Sequence, residues 1–151
     1  MKIEFQPIGI IYSPFHDLKE IPVQPTLARG VKGRVELFEE YQAGLKDLEG
    51  FSHLILLTYL HRSKGFSLEV IPFWDSKPRG LFATRSPRRP NPIGLSVVRL
   101  LKIEGRILFI ENVDLLNGTP LLDLKPYIPE IDAIPEARAG WFEKIKKSKL
   151  K

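Results

Sequence analysis

The densest chemistry in this chain lies in one stretch, Gly80-Leu81-Phe82-Ala83-Thr84-Arg85-Ser86-Pro87-Arg88-Arg89-Pro90-Asn91-Pro92-Ile93-Gly94. Pro87, Pro90 and Pro92 restrict the backbone and remove amide donors. The guanidiniums of Arg85, Arg88 and Arg89 and the amide of Asn91 are therefore displayed from a stiff loop. An Arg-rich turn between two strands would use the same residue types. Functional groups nevertheless concentrate on loops held by rigid scaffolds, which favours a binding surface. Residues 77–94 carry Lys77, Arg79, Arg85, Arg88 and Arg89 with no acid, and the last eight residues carry Lys144, Lys146, Lys147, Lys149 and Lys151. The whole chain is only +5, so everything else is net acidic. Two positive surfaces on an acidic body suit a polyanion such as RNA, although a Lys-rich end is more often a solvated tail than a binding element.

A second polar stretch runs from Asp114-Leu115-Leu116-Asn117-Gly118-Thr119-Pro120 to Tyr127. Asn-Gly alone signals a tight turn, and Asp114 and Asp123 are good strand-end caps. A companion to the Pro-rich loop in so small a chain argues for more. His53 and His61 flank an apolar strand and read as hydrogen-bonded structural residues. With His16 they have no metal-ligand spacing, and no metal is expected. Zero cysteines exclude thiolate zinc, iron–sulfur ligation, disulfides and a cysteine nucleophile. No G-x-S-x-G, Walker loop or dinucleotide fingerprint is present. Gly30-Val31-Lys32-Gly33 has the letters of a KH-domain clamp but precedes a strand. Asn91-Pro92-Ile93-Gly94 matches the Asn-Pro-Pro-aromatic motif of amino-group methyltransferases only in part, without the Gly-x-Gly that accompanies it.

The elements that must hold these loops are mostly strands. The 151 residues suffice for one core-forming domain. Patterning predicts strands over 8–12, 33–37, 52–60, 67–73, 80–84, 94–103, 106–112 and 119–125, with turns at Glu104-Gly105 and Asn117-Gly118. Phe38, Tyr41 and Leu45 predict a short helix near 39–48, and Ala137, Trp141, Phe142 and Ile145 one from Pro135 onward. The class is all-β, an antiparallel barrel or sandwich rather than a doubly wound sheet. The expected division is a β domain over 1–135 and a C-terminal helix with basic tail over 136–151. The longest apolar run, Leu54–Leu57, spans no membrane and the N-terminus has no signal-peptide core, so a soluble cytoplasmic protein is expected.

Five ordered motifs resemble the TrmO family, also called TsaA-like or YaeB-like. They are Ile8-Gly9-Ile10-Ile11-Tyr12-Ser13-Pro14-Phe15, Gln24-Pro25, Leu48-Glu49-Gly50-Phe51-Ser52-His53-Leu54, Phe82 to Ser96, and Asp114 to Tyr127. The resemblance implies a small β-barrel methyltransferase, neither Rossmann nor knotted, in keeping with the seven or eight strands, short helix and C-terminal helix that the patterning predicts. It further implies a homodimer with S-adenosylmethionine near the subunit interface. The implied reaction is N6-methylation of threonylcarbamoyl-adenosine at position 37 of a threonine tRNA. Carried over by residue, cofactor contacts fall at Gln24, Pro25, Thr26, His61, Arg62, Arg85, Leu95, Asn117, Gly118, Thr119 and Pro120. Asn117 departs from the family, where many members have Asp. The chain also resembles a short form, without the C-terminal extension of bacterial members.

Methyl transfer from a sulfonium needs in-line placement and exclusion of water more than acid–base power. On that reading Arg85 and the Asn117 turn position the reactants, and Asp114 is the candidate base. Arg88, Arg89 and Asn91 meet the phosphates of the tRNA anticodon loop, with aromatic residues free to stack an extruded base. Two other readings use the same features: an RNA-binding barrel without catalysis, and a barrel that uses S-adenosylmethionine on another acceptor.

Overall fold

Short alternating strands with a right-handed twist curl an antiparallel sheet until its edges meet, which removes the unpaired edges that invite aggregation. The computed structural model describes residues 1–22 and 28–149, with side chains as far as Ile145. Its strands are β1 (Gly9–Tyr12), β2 (Lys32–Leu37), β3 (His53–Tyr59), β4 (Glu69–Val70), β5 (Arg79–Gly80), β6 (Ile93–Glu104), β7 (Ile107–Glu111) and β8 (Thr119–Pro126). Six close into a barrel in the order β1-β2-β7-β6-β3-β8, every pair antiparallel. The all-β barrel expected from the sequence is the fold, with six of the eight strands in its wall.

The period of two decides which side chains fill it. Along β3, Leu54, Leu56 and Thr58 are fully buried, whereas Ile55 and Leu57 are half-buried and Tyr59 is exposed. Along β6, Ser96 and Val98 turn inward while Ile93, Leu95 and Val97 face out. Ile11, Val35, Leu108, Ile110 and Leu121 complete a dry aliphatic interior.

Two compact units emerge. The barrel unit comprises Met1–Arg62 and Ile93–Tyr127; the other groups Ser63–Pro92 with Ile128–Lys151. This partition runs along different lines from a boundary at residue 135. In the second unit the strands expected over 67–73 and 80–84 shrink to the two-residue pairing of β4 with β5. The Leu81 amide still donates to the Leu68 carbonyl, but Leu81–Ala83 then tightens into a 3-10 turn, closed where the Thr84 amide and hydroxyl both donate to the Leu81 carbonyl.

Three further expectations are corrected. Residues 39–45 form a 3-10 rather than an α-helix, with only Leu45 buried, because one apolar side chain in so short a segment cannot anchor α-helical turns. The C-terminal helix begins at Phe142 (α2, Phe142–Lys149), not at Pro135. A separate single turn, α1 (Pro129–Asp132), precedes it, and Gly140 at φ +52° separates the intervening loop from α2. Finally, Glu104-Gly105 joins the paired strands β6 and β7, whereas Asn117-Gly118 does not close a hairpin. β7 and β8 are not neighbours in the wall, and residues 112–118 cross between them.

Candidate functional site

One end of the barrel gathers most of the candidate residues. β1, β3 and β7 finish there and β2, β6 and β8 begin there, as the pairs Ile11 with Thr119, Lys32 with Glu111 and Tyr59 with Ile93 require. His61 and Arg62 follow β3 at this end. Leu95 sits two residues into β6, beside Leu57. The crossing loop brings Asp114 and Asn117-Gly118 to the same mouth, and Thr119 and Pro120 open β8.

The crossing loop is latched rather than loose. The Asn117 side-chain oxygen accepts a 3.0 Å hydrogen bond from the Ser13 amide, the Asn117 amide donates to the Phe15 carbonyl at 2.7 Å, and the Gly118 amide donates to the Ile11 carbonyl at 2.8 Å. The Ser13 hydroxyl donates to the Leu115 carbonyl. Gly118 has φ +85°, the left-handed value that the third position of a type II turn demands, and the Thr119 amide closes that turn on the Leu116 carbonyl. Either Asn or Asp can accept from Ser13. The amide nitrogen that Asn117 alone supplies makes no hydrogen bond among the described residues.

Asp114 is half-buried and accepts a 2.7 Å hydrogen bond from the Ser96 hydroxyl, which is itself buried. One carboxylate oxygen is thereby fixed in direction. Burial, and the repulsion of the neighbouring Arg62, lower the His61 pKa from its ordinary 6.5. His61 is therefore neutral at pH 7 and keeps a lone pair to accept a hydrogen bond. Arg62 is exposed and has no hydrogen-bond or ion-pair partner among the described residues. His53, in contrast, sits 2.8 Å from the Ser52 hydroxyl and edge-on to Tyr127, the structural role expected of it.

Arg85, Arg88, Arg89 and Asn91 belong to the second unit. Arg85, Arg88 and Asn91 are exposed, but Arg89 is half-buried and bonded to the backbone of its own loop. Gln24, Pro25 and Thr26 lie outside the described residues, as do the side chains of Lys146, Lys147 and Lys149 and all of Lys151. Sequence reading missed Ser96, whose small polar side chain inside an apolar strand was the available signal, and Ser13, which looked only like a strand terminator before Pro14. No group of three or more His, Cys, Asp or Glu among the described residues could hold a metal ion.

A closed antiparallel barrel with a latched polar mouth, and an arginine loop in the second unit, defines a small barrel protein with no nucleotide-binding βαβ unit among its described residues. The chain belongs to the tRNA-methyltransferase O family: the family model described as the tRNA-methyltransferase O N-terminal domain matches residues 10–133. A Pyrococcus abyssi protein named as a probable S-adenosyl-L-methionine-binding protein is 52% identical over 144 residues, covering 95% of this chain and 78% of that one. The Escherichia coli tRNA (adenine(37)-N6)-methyltransferase is 36% identical over 150 residues, 93% of this chain and 64% of that protein. The crystal structure of TrmO from Pseudomonas aeruginosa superposes with a TM-score of 0.78 at 42% identity, covering 93% of this chain and 62% of that one. This chain thus spans under two thirds of the last two. The family is one of S-adenosylmethionine-dependent tRNA adenine-N6 methyltransferases.

The mouth suits that cofactor's chemistry. The Arg62 guanidinium, with no partner among the described residues, matches a carboxylate, the Asn117 amide nitrogen matches a hydroxyl or ring acceptor, and neutral His61 accepts without repelling a sulfonium. Leu95 offers exposed apolar surface on the strand beside β3.

Proposed function

We propose that this chain is an S-adenosylmethionine-dependent tRNA methyltransferase that methylates N6 of threonylcarbamoyl-adenosine at position 37 of a threonine tRNA. The observation that carries this reading is the family match over residues 10–133, in a chain whose mouth collects His61, Arg62, Leu95, Asp114 and Asn117–Pro120 at one barrel end. The cofactor supplies an electrophilic methyl group on a sulfonium. The chain's residues supply position: His61, Arg62, Leu95 and the Asn117–Pro120 turn hold the cofactor, together with Gln24, Pro25, Thr26 and Arg85. Such a reaction rests on alignment and dryness, and a rigid barrel rim is suited to both. Asp114, oriented by Ser96, is the group available to take the N6 proton, which the attached carbonyl already acidifies.

Arg88 and Asn91 meet the phosphates of the anticodon loop, in a segment with no acid between residues 77 and 94. A homodimer is part of the reading. Tyr59, Ile93, Leu95 and Val97 form a contiguous exposed apolar strip on the outside of β3 and β6, the kind of surface that marks an interface. No described helix is long and apolar enough to cross a membrane, and a cytoplasmic enzyme meeting cytoplasmic tRNA is the compartment we infer.

The test is methyl transfer from labelled S-adenosylmethionine to total tRNA with and without threonylcarbamoylation. Label on modified tRNA alone, at N6, is the expected result. Cofactor binding with no transfer to either pool points to another acceptor, and no cofactor binding leaves an RNA-binding barrel.

A further inference from the structure

The loop over residues 81–89 is closed by a side chain of its own. Nη1 of Arg89 lies 3.0 Å from the Thr84 carbonyl oxygen, 3.2 Å from that of Ser86 and 3.5 Å from that of Leu81. One charged donor shared by three carbonyls acts as a buckle, meeting the Thr84 and Ser86 carbonyls directly and reaching the Leu81 carbonyl that Thr84 already caps. The Arg89 guanidinium carbon also stands 5.8 Å from the centre of the Phe82 ring. Phe82 is 74% exposed. A fixed cation near an aromatic ring that is otherwise open to water is a poor packing arrangement but a ready stacking surface.

We propose that Phe82 is a stacking platform for an unpaired base of the RNA substrate, and that Arg89 is a positioning residue that buckles the loop and steadies the ring, not a phosphate contact. The occupant follows from charge. Between residues 77 and 94 there are five basic residues and no acid, a field that draws in a polyphosphate chain. Stacking supplies base contact without sequence readout, while the exposed Arg88 on the same loop is free to take the backbone. The inference rests on the tRNA-methyltransferase reading.

The experiment uses the full chain, a threonylcarbamoylated threonine-tRNA anticodon stem-loop followed by fluorescence anisotropy over a salt series, and a parallel calorimetric titration with S-adenosylmethionine. Phe82→Ala is expected to weaken stem-loop binding about tenfold or more, on the scale of base–aromatic stacking. Its salt slope and cofactor affinity stay unchanged, and Phe82→Tyr retains binding. Arg89→Ala is expected to weaken RNA binding with the salt slope kept, and Arg89→Lys to recover part of it. Unaltered stem-loop affinity in a folded Phe82→Ala overturns the platform. Loss of cofactor affinity in that variant assigns the ring to the cofactor's adenine instead. A salt slope reduced by about one in Arg89→Ala makes Arg89 a phosphate contact and overturns its positioning role. If the native chain binds no stem-loop at all, it is the tRNA reading that fails, and the variants are not needed to see it.

Discussion

Arg79 donates a 2.7 Å hydrogen bond from Nε to Oδ2 of Asp75, four residues earlier, and the same guanidinium lies 5.6 Å from the centre of the Trp141 ring. Asp75 also accepts from the Ser76 and Lys77 amides. The Arg79 hydrogen bond, with those amides, holds the Asp75 carboxyl below its ordinary 3.8. A depressed carboxylate stabilises the fold above its unfolded pKa and loses that contribution as pH falls through the folded value. Acid titration followed by tryptophan fluorescence should therefore show a transition of the second unit below pH 3.8. Asp75→Asn should remove the acid-side change and leave the protein less stable at pH 7.

His61 shows the same sign from a different cause, because there the charged form is the one disfavoured. Its folded pKa is lowered, so the unfolded chain takes up the proton first and stability declines as pH falls below about 6.5. NMR titration should place the His61 midpoint below 6.5, and Arg62→Gln, by removing one of the two causes, should raise it. An unshifted midpoint in Arg62→Gln would show burial to be the whole cause.

Gly94 is required by packing. A Cβ there would stand 2.5 Å from the Thr58 hydroxyl oxygen and 2.9 Å from a Leu60 methyl. Thr58 is in β3 and Leu60 packs against the core just after it, so Gly94→Ala should cost about 1–3 kcal/mol by denaturant unfolding. The Thr58 hydroxyl is buried with no hydrogen-bond partner among the described residues. Thr58→Val keeps the shape and removes the unmet polar group, so its stability should equal or exceed the native value by up to about 1 kcal/mol.

Arg88 is exposed and unpartnered among the described residues, so its replacement isolates one phosphate contact. Arg88→Ala should lower the slope of log affinity for tRNA against log salt by about one and leave cofactor binding as it is. An unchanged slope would remove Arg88 from the RNA surface.

The apolar strip on β3 and β6 makes a prediction about assembly. Val97 is 42% exposed and pairs with Ile55, away from the barrel mouth. A charge placed in an apolar interface is costly, so Val97→Glu should shift a dimer to monomer by sedimentation while the barrel's circular dichroism persists. A native chain that sediments as a monomer at all concentrations would exclude the homodimer.

Much of this protein is set by local sequence. Alternation along 53–59 and 93–104 dictated which face of each strand is buried, since side chains on a pleated strand must take opposite sides. Gly105 and Gly118 marked real turns because few other residues take positive φ without strain. The basic loop was legible for the same reason: prolines and arginines declare themselves without a partner. Tertiary structure decided the rest, wherever the answer depended on residues far apart in the chain. No local signal could say that β8 pairs with β1 and β3 rather than with β7, and on that pairing depends whether Asn117 closes a hairpin or latches onto Ser13, 104 residues away. Likewise Asp114 meets Ser96 only because β6 and the crossing loop share one end of the barrel. Arginine at 89 looks the same in sequence as arginine at 88. Only the folded loop, in which the backbone carbonyls of 81, 84 and 86 converge on one guanidinium, distinguishes the arginine bonded to its own backbone from the exposed one beside it.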